Sequence, residues 1–206
     1  MRKIVLNGTC LEVDIKNDVT FGEMRAILKD EIENKSLVVT RILGDGEEIF
    51  QHRPDECLKS EIGAYKDIEI IAESFEAITE RLLTNAAKFL DQLNENVTKI
   101  SESFRTKSKE EAFEDFILYI DCLQQVFDLL DISQKSNSIK LLESEYKNKR
   151  GSDIIKNFAS INQEILKAQE NKDVVLMADL LEYELSPSIE LLSGLFVSRK
   201  EALLSE

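Results

Sequence analysis

The sequence predicts an α+β protein: a small sheet-bearing domain over residues 1–73, followed by an antiparallel helix bundle over residues 74–206. Three observations predict this class. Apolar residues recur with period two as far as about Ser74, and with helical period beyond it. The tight-turn signals Asn7-Gly8 and Gly44-Asp45-Gly46 both fall in the first part. Only 7 Gly and 2 Pro occur in 206 residues, so few sharp turns separate the elements, and the elements must be long.

Residues 2–7 read as a strand, and Asn7-Gly8 closes a hairpin because both residues tolerate positive φ. The return, Leu11 to Lys16, alternates apolar and charged residues as a half-buried strand does. Thr20-Phe-Gly-Glu23 has the form of a capping box, opening a helix that carries Met24, Ile27, Leu28 and Ile32 at helical spacing and ends near Asn34. Leu37–Leu43 and Glu47–Phe50 are strands about the Gly44–Gly46 turn. A polar connection through Pro54 leads to a last strand, Asp67–Ala72.

The order strand, strand, helix, strand, strand, loop, strand resembles the ubiquitin-like β-grasp family over the first third of the chain. The Asn7-Gly8 hairpin, the helix after Thr20 and the stretch Arg41–Ile49 carry the resemblance. Family members serve in conjugation, in sulfur carriage and as docking modules. The first two activities need a free terminal Gly-Gly. Ile71-Ala-Glu-Ser74 runs instead into a helix, so docking is what the resemblance implies here.

From Phe75 to Phe104 apolar side chains step by threes and fours along one face. Ser108-Lys-Glu-Glu111 is a second capping box, opening a helix lined by Phe113, Phe116, Ile120, Leu123 and Leu130. A third helix is expected from about Ser138 to Glu170, with Gly151 as an interruption that divides it or leaves it whole. The last starts near Asp173, with a kink or break at Ser186-Pro187, and runs to about Leu204. Four such segments joined by short connectors predict a four-helix bundle with up-and-down topology.

The formal charge is −14, from 40 acidic and 26 basic residues. The acidic excess falls on both sides of Ser74, so neither part is a basic arm. Nucleic-acid binding rests on Lys and Arg displacing counterions from phosphate, so a nucleic-acid partner is excluded. The same balance argues against anionic membrane surfaces, and no stretch is apolar enough to span a bilayer. Cys10, Cys57 and Cys122 are odd in number and widely spaced, which suits reduced thiols. The expected compartment is the cytoplasm.

His52 is the only histidine and sits in a polar loop, which removes the His-dependent di-iron, zinc and Ser-His-Asp chemistries. Cys122 lies in an apolar helix without a neighbouring base. Glu111-x-x-Glu114 resembles half of the Mg²⁺-binding pattern of all-helical nucleotide pyrophosphatases. The following Glu-x-x-Asp of that family is missing at the expected distance, and such pairs arise by chance in so acidic a chain. No cofactor is expected. Asp173–Leu192 is apolar around most of its circumference and resembles small bacterial proteins associated with flagellar genes, with no residue role attached. Beyond Pro187, Leu195, Phe196, Val197, Leu203 and Leu204 exceed what one buried stripe requires, and they are the candidate partner-binding residues. The function expected is a non-enzymatic interaction module: an adaptor, assembly factor or chaperone-like binder that docks a protein partner. The alternatives are a Mg²⁺-dependent hydrolase using Glu111 and Glu114, and a structural homo-oligomer.

Overall fold

The computed structural model describes residues 3–11, 13, 15–29, 32, 37–49, 58–135 and 139–205. His52, Pro54 and Cys57 lie outside the described residues. The protein is α+β, with a five-stranded sheet followed by a helical region. Its two compact units are Met1–Ile78 and Thr79–Glu206.

The first unit contains strands β1 (Lys3–Leu6), β2 (Thr9–Leu11), β3 (Leu37–Gly44), β4 (Glu47–Glu48) and β5 (Asp67–Ser74), with helix α1 (Phe21–Ile27). The strand order is β2-β1-β5-β3-β4. β1 runs parallel to β5, and the other neighbours are antiparallel. Asn7 and Gly8 have φ of 49° and 80°, the conformation of a two-residue hairpin turn. This turn sets Thr9 opposite Leu6. β2 therefore begins earlier than the expected Leu11–Lys16, of which Glu12 and Asp14 lie outside the described residues. The Asn7 amide also extends the ladder, donating to the Ala72 carbonyl (2.7 Å) and accepting from the Ala72 N–H (2.9 Å).

Thr20 caps α1 reciprocally with Glu23, through Glu23 N–H to Thr20 Oγ1 (3.2 Å) and Thr20 N–H to Glu23 Oε2 (2.8 Å). Phe21 and Met24 are buried on the inner face, and Leu28 and Ile32 continue it past the end of α1. The expected terminus at Asn34 lies outside the described residues. Period-two alternation turns Ile4 and Leu6 of β1 and Ile68, Ile70 and Ala72 of β5 into this core.

The helical region consists of α2 (Phe75–Thr106), α3 (Lys109–Lys135), a hairpin of β6 (Glu145–Tyr146) and β7 (Lys149–Arg150), α4 (Gly151–Glu170), α5 (Val174–Asp179), a π-helical turn (Leu180–Leu185) and α6 (Ser186–Leu203). Side-chain contacts give the direction of each neighbour. Along α2, Ala87 meets Ser193 of α6, while Ser101 meets Ala178 of α5. Along α3, Tyr119 bonds Asn162 of α4, while Phe127 packs on Phe158. Asn157 of α4 faces Ser188 of α6. Residue numbers rise on one helix as they fall on its neighbour, except where α4 and α6 are fixed by this single pair. The shared core includes Leu90, Val97, Phe116, Val126, Ile165, Leu181 and Leu192.

Two expectations fail here. Helix alone after residue 74 does not hold over 139–150. Lys147 and Asn148 have φ of 49° and 62°, a turn that folds β6 onto β7. Gly151 is the first residue of α4 rather than an interruption within a longer helix. At Pro187 the helical path neither breaks nor stops. The turn before it widens, and the Ser186 N–H reaches the Leu181 carbonyl in an i to i−5 bond. Pro187 follows directly as the second residue of α6, and the widened turn before it accommodates the N–H that proline lacks.

Candidate functional site

The last two turns of α2 carry polar groups on two sides. Toward α3, the Ser103 hydroxyl donates to Asp115 Oδ2 (2.7 Å), as does Lys107 Nζ (2.8 Å). Toward α5, the Ser101 hydroxyl donates to the Ala178 carbonyl (3.0 Å), and Arg105 donates to Glu182 and to Asp179 Oδ1 (2.9 Å). The Arg105 guanidinium also lies 5.8 Å from the Tyr183 ring centroid, within cation–π range. Arg105 sits in the last turn of α2 and Lys107 directly after it, where the backbone dipole favours positive charge.

These pairs set the local electrostatics. The hydrogen bond from Lys107, assisted by Ser103, holds the Asp115 carboxyl below its ordinary value. The Arg105 hydrogen bond does the same for Glu182. A carboxylate lowered in the folded state contributes stability above its unfolded pKa of about 4, lost as pH falls through the lower folded value. The Asp115→Asn/Glu182→Gln double variant is thus expected to melt lower than the wild type at neutral pH, with the difference shrinking below about pH 4. Melts across pH check this, and parallel curves would refute it.

Between α2 and α3 lies a cleft of about 270 Å³, with Leu93, Ile100, Leu118, Tyr119 and Cys122 among its apolar wall and Lys99 at its rim. Burial pushes the Tyr119 phenol up, and its O–H is committed to Asn162 Oδ1, whose own amide donates to the Phe158 carbonyl (2.8 Å). Each titratable group of the cleft with a displaced pKa is thereby tied to a structural partner.

A second feature is the outer face of α5 and the π turn. Val175 is 69% exposed, Tyr183 63% and Leu176 45%. On the opposite side Met177, Ala178, Leu181 and Leu185 are buried. Asp173 caps this segment, its carboxylate accepting the Leu176 N–H (3.0 Å). Sequence reasoning singled out the stretch but not Val175 or Leu176 within it. The usable signal is the acidic residues Asp179, Glu182 and Glu184, which mark the solvent side.

The residues expected to form sites fare differently. Leu195 and Phe196 are fully buried in the helical core, so they are removed from the partner-binding set. Val197 and Leu204 are 40% and 61% exposed, and Leu203 is half-buried. Glu111 and Glu114 are both exposed. Glu111 Oε2 accepts the Ser108 N–H (3.3 Å), and the Glu111 N–H donates to the Ser108 hydroxyl (3.3 Å), which completes a capping box. No group of three or more His, Cys, Asp or Glu side chains converges as metal ligands among the described residues. Among them, too, no helix is long and apolar enough to cross a membrane. Cys10 is exposed and Cys122 half-buried, both as free thiols.

Fold and surface thus define a two-unit α+β protein whose helical part presents an acidic and apolar face. Residues 81–194, more than half of the chain, match the family described as "Domain of unknown function (DUF8042)", and the chain belongs to that family. The match takes in α3, the cleft, α5 and the π turn, and stops short of Val197. A protein of Treponema pallidum (strain Nichols), described as an uncharacterized protein, is 22% identical over 198 residues, covering 92% of this chain and 94% of that protein. No solved structure matches the chain.

Proposed function

We propose that the protein is a non-enzymatic, cytoplasmic interaction module, an adaptor or assembly factor, built from a β-grasp domain and an up-and-down four-helix bundle. The parallel β1–β5 pair at the centre of the order β2-β1-β5-β3-β4, with a helix after the first hairpin, supports the grasp reading. The opposed running of α3 with α4, and of α2 with α5 and α6, supports the bundle. The observation that carries the function is the exposure of Val175, Leu176 and Tyr183 together on one face. Single exposed apolar residues need no explanation, whereas neighbouring ones mark contact surfaces.

Affinity purification of the full chain from its native host, with identification of co-purifying proteins, tests the reading. A specific partner is expected with the wild type. It should be lost with the Val175→Ser/Leu176→Ser double variant, whose melt should stay close to that of the wild type. Recovery of the same partner by both forms would move the interaction to another surface. Motility proteins are the first place to look, given the resemblance noted for Asp173–Leu192.

A further inference from the structure

From Asp173 to Ser198 the chain contains five carboxylates and no lysine, arginine or histidine. The carboxylates are Asp173, Asp179, Glu182, Glu184 and Glu190, and all are at least partly exposed. Among the described residues Arg105 pairs with this set, reaching Asp179 and Glu182, so the five negative charges of the segment against this one positive leave −4. Within this field lie Val175, Leu176 and Tyr183. Val175 and Tyr183 are eight residues apart, about two turns along this segment, the kind of stripe along which an amphipathic helix docks successive anchors.

We infer that this face receives a basic amphipathic helix of a partner protein, with apolar anchors on Val175, Leu176 and Tyr183 and Lys or Arg side chains against the flanking carboxylates. The inference rests on the interaction reading above and adds the chemistry of the partner. Charge decides between occupants. A second copy of this chain would bring the same acidic face or other parts of a surface that is −14 overall, whereas a basic segment meets net attraction. An acidic membrane-binding helix or anionic lipid is disfavoured on the same ground. The Arg105 guanidinium over Tyr183 presents the ring at a fixed place for an apolar anchor.

The test uses the full-length chain and fluorescently labelled model peptides of about 18 residues, five helical turns at 3.6 residues per turn. One peptide places Leu on one face and Lys on the other, and its counterpart carries Glu in place of Lys. The Lys peptide is expected to bind saturably by anisotropy, and the Glu peptide not to bind. The Val175→Ser/Leu176→Ser variant keeps every charge and should weaken the Lys peptide by about tenfold or more. Raising salt from about 50 mM to about 500 mM should weaken wild-type binding, because the flanking contacts are exposed and screened. Equal binding to wild type and variant would overturn the inference, since generic attraction to an acidic protein would then explain it. Absence of binding, or a dimer that dissociates in the serine variant, would overturn it as well. The interaction reading has a separate fate: a host partner lost with the serine variant but docking through a segment that is not basic keeps that reading and sinks this one.

Discussion

Phe196→Ala is expected to cost about 3–5 kcal/mol of stability, while its neighbour Val197→Asp leaves the fold in place. Both residues lie on α6 and look alike in a hydropathy profile. Phe196 is fully buried in the cluster that also holds Leu192 and Leu195, so truncation removes its transfer energy and leaves a cavity. Val197 is 40% exposed, and a carboxylate there can stay hydrated. Domains of this size have about 5–15 kcal/mol in all, so the phenylalanine variant should be close to unfolding at body temperature. Urea melts of the two variants measure the contrast. A Phe196→Ala protein that melts like the wild type but fails to bind a partner would return Phe196 to the docking surface.

The contrast also shows where a sequence stops being informative. Strong local rules were legible: Thr20 with Glu23 and Ser108 with Glu111 are capping boxes in the sequence and in the structure, because both residues of each box lie within one turn. Period-two alternation located β5 for the same reason, since a pleat fixes which side chains face inward, and the apolar, β-branched run Leu37–Leu43 located β3. The segment 139–150 was not legible. Ile139 and Leu141 are buried ahead of a turn whose Lys147 and Asn148 adopt positive φ without a glycine, a conformation that nothing in their local pattern announces. The widened turn before Pro187 escaped too, since a proline announces that the ladder must change but not whether it bends, breaks or widens. The candidate site was the least legible part. A helix apolar on most sides has no periodic signature for the stripe left to solvent, and the π turn shifts residues beyond it relative to those before. Leu195 and Phe196 were misassigned for that reason, while Val175 and Leu176 were passed over.

Gly151→Ala is expected to destabilise the protein by about 1–3 kcal/mol, opposite in sign to the usual effect of that exchange in a helix. Alanine ordinarily stabilises a helical position by about 0.5–1 kcal/mol over glycine, through lower chain entropy in the unfolded state. At Gly151 space overrides entropy. A Cβ built there runs into the Leu141 carbonyl oxygen and lies 3.2 Å from Leu195 Cδ2. The carbonyl cannot simply step aside, because the chain around it is tied down. The Gly151 N–H donates to the Ser144 carbonyl (2.7 Å), the Ser152 N–H to that of Leu142 (3.1 Å), and Arg199 Nε to that of Ile139 (2.7 Å). Ser152→Ala, on the exposed side of the same turn, is the control and should stay within about 0.5 kcal/mol of the wild type. If residues 139–150 instead continued α4 as a helix, Leu141 would lie more than two turns away along it and the alanine would be welcome. The sign of the change in the urea midpoint therefore decides between the close approach of Leu141 and a continuous helix: a lower midpoint for Gly151→Ala is the expected result, and a higher one would overturn the packing of this segment against the start of α4.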